Sequence, residues 1–163
     1  DHRDLHSLRR RQRQMCIRDR HDFHQGYMID GLISYLNHAP ENYRESIIKA
    51  ISRATLFYKK MFTPEGRSFY RFPRKYPTDI HNQSQGIITF SKLFNLFKDS
   101  SYISKAVTVA KWTIENMQDD TGFFYCWKGK FLTNKIPYMR WGQAWMLLAL
   151  TTLLHTLRRG NVV

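Results

Sequence analysis

The feature that most constrains this chain is an alternation between two kinds of helix-forming segment. Residues 25–36 (QGYMIDGLISYL), 83–97 (QSQGIITFSKLFNLF) and 143–157 (QAWMLLALTTLLHTL) are apolar on almost every face. Asp30 is the sole charge in the first, and the third has no Lys, Arg, Asp or Glu. Residues 42–62 and 101–118 are different. In 42–62, Ile47, Ile48, Ile51, Thr55, Tyr58 and Met61 form one stripe, with Arg44, Glu45, Lys49, Arg53, Lys59 and Lys60 on the other faces. In 101–118 the stripe is Ile103, Ala106, Val107, Ala110, Ile114 and Met117. A helix apolar all round must be buried, and an amphipathic one covers a core with one face. The spacing therefore predicts two layers, with inner helices screened by outer ones.

The links sharpen this. Inner segments reach outer ones through NHAPE and KDSS, with Pro40 suited to a first helical turn. Outer segments return through 63–82 and 119–142, and links this long in a compact domain usually carry function. Strict alternation puts both long links at one end, above the N-termini of the inner helices. MFTPEGRSFY at position 61 parallels MQDDTGFFYC at 117, an offset of 56. HQGYMID, SQGIITF and GQAWMLL place Gln25, Gln85 and Gln143 at the heads of the inner helices, 60 and 58 residues apart. GFFYCWKGKFLTN alternates aromatic and polar residues around Lys128 and Gly129, as a hairpin does. The expected fold is all-α: part of an (α/α) toroid of alternating inner and outer helices, with short β hairpins in the long loops.

Residues 1–20, DHRDLHSLRRRQRQMCIRDR, stand apart. Seven arginines and no aromatic residue leave nothing to pack, so disorder is expected. Their back-translation fits a sequencing-library adapter: a flow-cell primer, an index-length gap and a transposase adapter, in that order. Such a segment is excluded from fold reasoning. The native sequence is then expected to start near His21, in mid-gene, with 21–163 a C-terminal fragment of a toroid domain.

The remaining residues keep 19 basic and 10 acidic side chains, a balance that favours anionic partners. Lys and Arg concentrate on the outer helices rather than along one concave stripe, so nucleic acid is not expected as a partner. The most apolar stretch, 144–154, falls short of the ~20 residues a membrane span needs. Cys126 is the one cysteine after position 20 and can form no internal disulfide there, so a cytoplasmic location is expected.

HQGYMIDGL, YPTDIHNQSQGIIT and NKIPYMRWGQAWM together resemble the C-terminal part of a bacterial, polysaccharide-associated group within the six-hairpin glycosidase-like superfamily. The resemblance covers residues 21–157. It implies the toroid and a carbohydrate-related role, and the superfamily includes hydrolases, lyases and epimerases.

In this geometry the polar residues converge on one cleft. Asp79, His81 and Tyr138 are the candidate catalytic residues. Asp22, His24, Gln25, Tyr27, Tyr70, Gln85, Trp127, Arg140, Trp141 and Gln143 are the candidates for substrate binding. Aromatic faces suit sugar rings, amides suit hydroxyls, and Asp, His and Tyr move protons. Arg140, beside Tyr138 and Trp141, offers a fork for a sugar carboxylate. Each also has a structural reading. Asp79 suits a helix N-cap, the histidines and glutamines suit bonds that brace loops, and Trp145, a turn inside an apolar helix, reads as core. HDFH with His81 lacks a recognised metal-ligand spacing, and no metal or cofactor is expected.

The expected function is that of a carbohydrate-active protein working on a complex or acidic oligo- or polysaccharide, of hydrolase, lyase or epimerase type. The alternative is a non-catalytic glycan-binding or polysaccharide-assembly protein on the same fold. If residues 1–20 are extraneous, their removal leaves the midpoint of thermal unfolding unchanged; a lowered midpoint shows that they take part in the fold.

Overall fold

A computed structural model of the protein describes the backbone of residues 22–160 and the side chains of 24–160. The segment 1–20 lies outside the described residues. The helices are α1 (Asp22–Leu36), α2 (Glu41–Lys59), α3 (Ile80–Phe97), α4 (Ser100–Met117) and α5 (Ala144–Arg159). Strands β1 (Thr78–Asp79), β2 (Trp127–Lys128) and β3 (Thr133–Asn134) lie in the long loops, and a π-helical turn, Met139–Gln143, leads into α5. No described helix is long and apolar enough to cross a membrane.

The alternation becomes an inner row of α1, α3 and α5, with α3 in the middle touching both others. Outer α2 packs on α1, and outer α4 packs on α3. Ile47, Ile51, Thr55 and Tyr58 form the buried stripe of α2; Ile103, Ala106, Val109, Ala110, Thr113 and Met117 form that of α4. Tyr58, Phe62 and Phe90 meet with ring centroids 5.2–5.3 Å apart and join α2 to α3. Helix α3 is buried on nearly every face. Helices α1 and α5 are not: Met28 and Tyr35 of α1, and Leu147, Leu148 and Leu154 of α5, are exposed.

Helix boundaries follow their caps. The α3 helix starts at Ile80, three residues before the apolar run, because the Asp79 carboxylate accepts the His81 N–H at 2.8 Å. Asp99 caps α4 in the same way through Ser101 N–H, at 2.9 Å. Between them Lys98 takes a left-handed conformation (φ 57°), and the chain reverses within two residues. Pro40 sits at the N-cap of α2 rather than in its first turn.

Both long loops meet in one antiparallel sheet of order β1-β2-β3, with Asp79 opposite Trp127 and Trp127 opposite Asn134. The sheet fixes both loops at one end of the inner row. The hairpin forms where the sequence places it, but its turn runs over 129–132, closed by Gly129 N–H on Leu132 O at 2.8 Å.

The repeat is visible in the backbone. Phe62 pairs with Ser68, and Gln118 with Phe124, 56 residues later. Phe69 N–H donates to Met61 O and Tyr125 N–H to Met117 O, each at 2.8 Å. The glutamines obey a different register from the one the sequence suggests. Gln83, not Gln85, corresponds to Gln143. Gln83 Oε1 accepts Ser68 N–H at 2.7 Å, and Gln143 Oε1 accepts Phe124 N–H at 2.9 Å. Apolar periodicity could not choose between two glutamines two residues apart; the loop they brace did.

Gly66 (φ 102°) and Gly122 (φ 99°) occupy the same place in the two turns. A Cβ on Gly66 would lie 2.5 Å from the Thr108 carbonyl oxygen, whereas one on Gly122 meets open space. Gly122→Ala is expected to cost about 1–3 kcal/mol for the positive φ alone. Gly66→Ala pays that and the collision, so urea denaturation should show it as clearly the less stable variant. Equal losses would refute the packing against α4.

Candidate functional site

The cap of α3 is also where side chains from three elements converge. Asp79 Oδ1 accepts the His81 N–H and, at 3.2 Å, the indole N–H of Trp141. The cap and the contact with Trp141 thus share one oxygen. His81 is 2% exposed. Its Nε2 lies 2.6 Å from the Tyr27 hydroxyl of α1. Its ring lies 4.3 Å from Trp141 and 4.7 Å from Trp145, and Trp145 meets Tyr27 edge-on at 5.7 Å.

Burial pushes the His81 imidazole down to about 4, so it is neutral near neutral pH. A hydrogen bond with the Trp141 backbone opposes that shift, and the charge of His24 adds to it. The Nε2 nitrogen faces the Tyr27 hydroxyl, and the imidazole tautomer sets which of the two donates. Burial also raises the Tyr27 hydroxyl, with the charge of Asp30 adding. Burial raises the Asp79 carboxyl against the two hydrogen bonds that hold it down. The Cys126 thiol is raised by burial and then by Asp79. Among the described residues, no three His, Cys, Asp or Glu side chains come together to hold a metal ion.

The structure thus brings Tyr27, Asp79, His81 and Trp141 together. Trp127 flanks them, half-buried opposite Asp79. His24 and Gln25 are half-buried in the first turns of α1, and the side chain of Asp22 lies outside the described residues. Tyr138 and Arg140 are exposed at the start of the π-helical turn. The Tyr138 carbonyl accepts Gly142 N–H and Gln143 N–H. The Arg140 side chain forms no hydrogen bond or ion pair with the described residues.

Other candidates lie elsewhere. Gln85 is fully buried, donating to Asp30 and Thr89 at 3.2 and 2.9 Å. Gln143 grips the Phe124 backbone, accepting its N–H and donating to its carbonyl at 2.7 Å. Tyr70 is half-buried in the first long loop, with the Arg74 guanidinium 5.8 Å from its ring. Asp30 pairs with Lys92 at 2.8 Å, so its cation lies within this chain. Trp145, read from the sequence as core, packs against the core and also forms a wall of the cluster. Its i, i+4 spacing from Trp141, which sets both indoles on one side, was the available signal.

No family model matches the sequence, and no curated protein matches it. Solved structures do. The GH76 alpha-mannanase of Bacteroides thetaiotaomicron matches 85% of this chain and 43% of its own length, with 17% identity and a TM-score of 0.60. A D-mannose isomerase matches 83% of this chain and 37% of its own length, with 19% identity and a TM-score of 0.62. The likeness shows an (α/α) toroid fold shared with both. This chain spans less than half the length of either toroid.

The toroid cluster carries its own pH signature. An unfolded His81 titrates near 6.5 and the folded one near 4. Between those values the unfolded chain binds a proton that the folded one does not. Stability is therefore full above about 6.5, falls as pH drops through the window, and levels off below about 4. The loss amounts to about 3 kcal/mol. Asp79, shifted upward by burial, acts in the opposite sense and offsets part of it. Denaturation at a series of pH values should show a slope that His81→Gln flattens; an unchanged slope refutes the dry, neutral imidazole.

Proposed function

We propose that the protein is carbohydrate-active and acts on a complex or acidic glycan by proton transfer, in the manner of an epimerase or lyase. The observation that carries this reading is the 2.6 Å contact between the half-exposed Tyr27 hydroxyl and the buried, neutral His81. A sugar C–H next to a carboxylate, set against Tyr27 Oη, can pass its proton to that oxygen as the Tyr27 O–H passes its own to His81 Nε2. That pair can take up or return a proton at one sugar position. A negative charge developing on the sugar raises the imidazole from about 4 toward neutrality and so favours the transfer. The exposed Trp141 ring offers a stacking face, and Arg140, one residue before it, suits a carboxylate.

Hydrolysis is less well supported. It calls for two carboxyl groups ~5–9.5 Å apart. Asp79 is the carboxylate that touches this cluster among the described residues, and Asp30 is tied to Lys92, Gln85 and Thr89. The toroid fold of a mannanase and a mannose isomerase is compatible with sugar chemistry of either kind.

The test is incubation with neutral and uronate-containing oligosaccharides in D2O, read by NMR and mass spectrometry. Deuterium should enter one carbon-bound position, at a rate about 100-fold or more lower in His81→Gln. New reducing ends without carbon-bound deuterium would mean hydrolysis. Binding without turnover would select the non-catalytic reading.

A further inference from the structure

Adjacent residues of a strand point to opposite faces. In β1 and β2 the Asp79–Trp127 pair faces the His81 cluster, so the neighbouring Thr78–Lys128 pair faces away from it. On that far side lies a cavity of about 350 Å³, between the 63–67 turn, residues 76–78, α4 and the β2–β3 turn. Its walls carry three cations, Arg67, Lys128 and Lys130, against one carboxylate, Glu65. Trp112 and Tyr76 supply aromatic faces.

Two of the cations are held in place. The Arg67 guanidinium lies over the Tyr76 ring, 4.3 Å from its centroid. Lys128 Nζ donates to the backbone carbonyl and side-chain oxygen of Asn116, at 3.1 and 3.3 Å. The 63–67 turn is itself fastened to α4 by Lys105 Nζ on Thr63 O, at 2.6 Å.

The internal repeat supplies a control for a purely structural role. The second turn has the same bridge, the same closing hydrogen bonds and the same positive-φ glycine. At the positions 56 residues on from Glu65 and Arg67 it has Thr121 and Phe123. The turn therefore forms without these charges, and its geometry does not account for them in the first copy.

We propose that this cavity is a second carbohydrate site, for an acidic sugar unit such as a uronate. Its carboxylate meets Arg67 and Lys130, its hydroxyls meet Glu65 and the Asn116 amide, and its ring lies against Trp112. The site faces away from the His81 cluster and depends on the proposed function only in taking a sugar as ligand.

The four indole N–H signals of Trp112, Trp127, Trp141 and Trp145 report on the two sites separately. The protein is titrated with digalacturonate, with cellobiose and with inorganic phosphate, and ¹⁵N-correlated NMR follows the indoles. Digalacturonate should move Trp112, and cellobiose should not. Arg67→Gln with Lys130→Gln should weaken that response about tenfold or more, as expected when charge-assisted hydrogen bonds are lost. The exposed single variant Lys130→Glu should weaken it in the same direction without burdening the fold. No movement of Trp112 at millimolar digalacturonate overturns the proposal, as does a response that the variants leave intact. An equal response to phosphate overturns the sugar assignment and leaves a plain anion patch. Movement of Trp141 without Trp112 removes this site and spares the His81 site; the reverse pattern supports this site and counts against the other.

Discussion

Helix α3 runs through the middle of the molecule with polar side chains in places where water does not reach. His81, Asn82, Gln83, Ser84, Gln85, Thr89 and Ser91 are all buried. Each buried polar group left without a partner costs about 1–3 kcal/mol, so the surroundings of α3 must supply partners at set positions. Ser84 and Ser91 turn back on their own helix carbonyls. The others reach outward. Gln83 ties the 66–68 backbone and Thr113 of α4, and Asn82 takes the Phe69 carbonyl at 3.1 Å. Gln85 and Thr89 hold Asp30 of α1, which Lys92 then neutralises. The positions of α1, α4 and the first long loop follow from these bonds as much as from apolar packing.

The candidate site grows from the same constraint at the solvent end of the helix. Asp79 must cap α3, and the Trp141 indole uses the oxygen that the cap uses. His81, two residues further on, is dried by Trp141 and Trp145 and held by Tyr27. Its depressed pKa is a consequence of that position in the packing, since desolvation is the leading cause. Structural and chemical readings of Asp79 and His81 are therefore compatible: the bonds that build the helix end also hold these side chains beside Tyr27 and Trp141.

Much of this was legible in the residues. The apolar segments mark the inner helices to within a few residues at each end, and the amphipathic stripes mark the outer ones. The 56-residue echo between the two long loops names backbone turns that superpose bond for bond. The convergence of Tyr27, Asp79, His81 and Trp141 follows from placing both long loops at one end. What sequence patterning could not resolve was the role of each polar residue within a segment. Gln85 and Gln143 begin similar Gln-small-apolar motifs, yet one is sealed inside with Asp30 and the other clamps a loop. Trp145 reads as core by period and does pack against the core, while its ring also walls the His81 cluster.

The sequence by itself determined the helical periodicity, the two layers, the alternating link lengths and the turn glycines, because each depends on local backbone preference or on which face of a segment is apolar. Tertiary structure alone decided the partners: which carbonyl a buried amide meets, which hydroxyl faces the His81 imidazole, and which charges line the cavity behind the sheet. Those outcomes depend on distances between residues well separated in the chain, such as Gly66 and Gln83, Tyr27 and His81, or Asp79 and Trp141. Only the closed packing of α3 against its neighbours sets such distances.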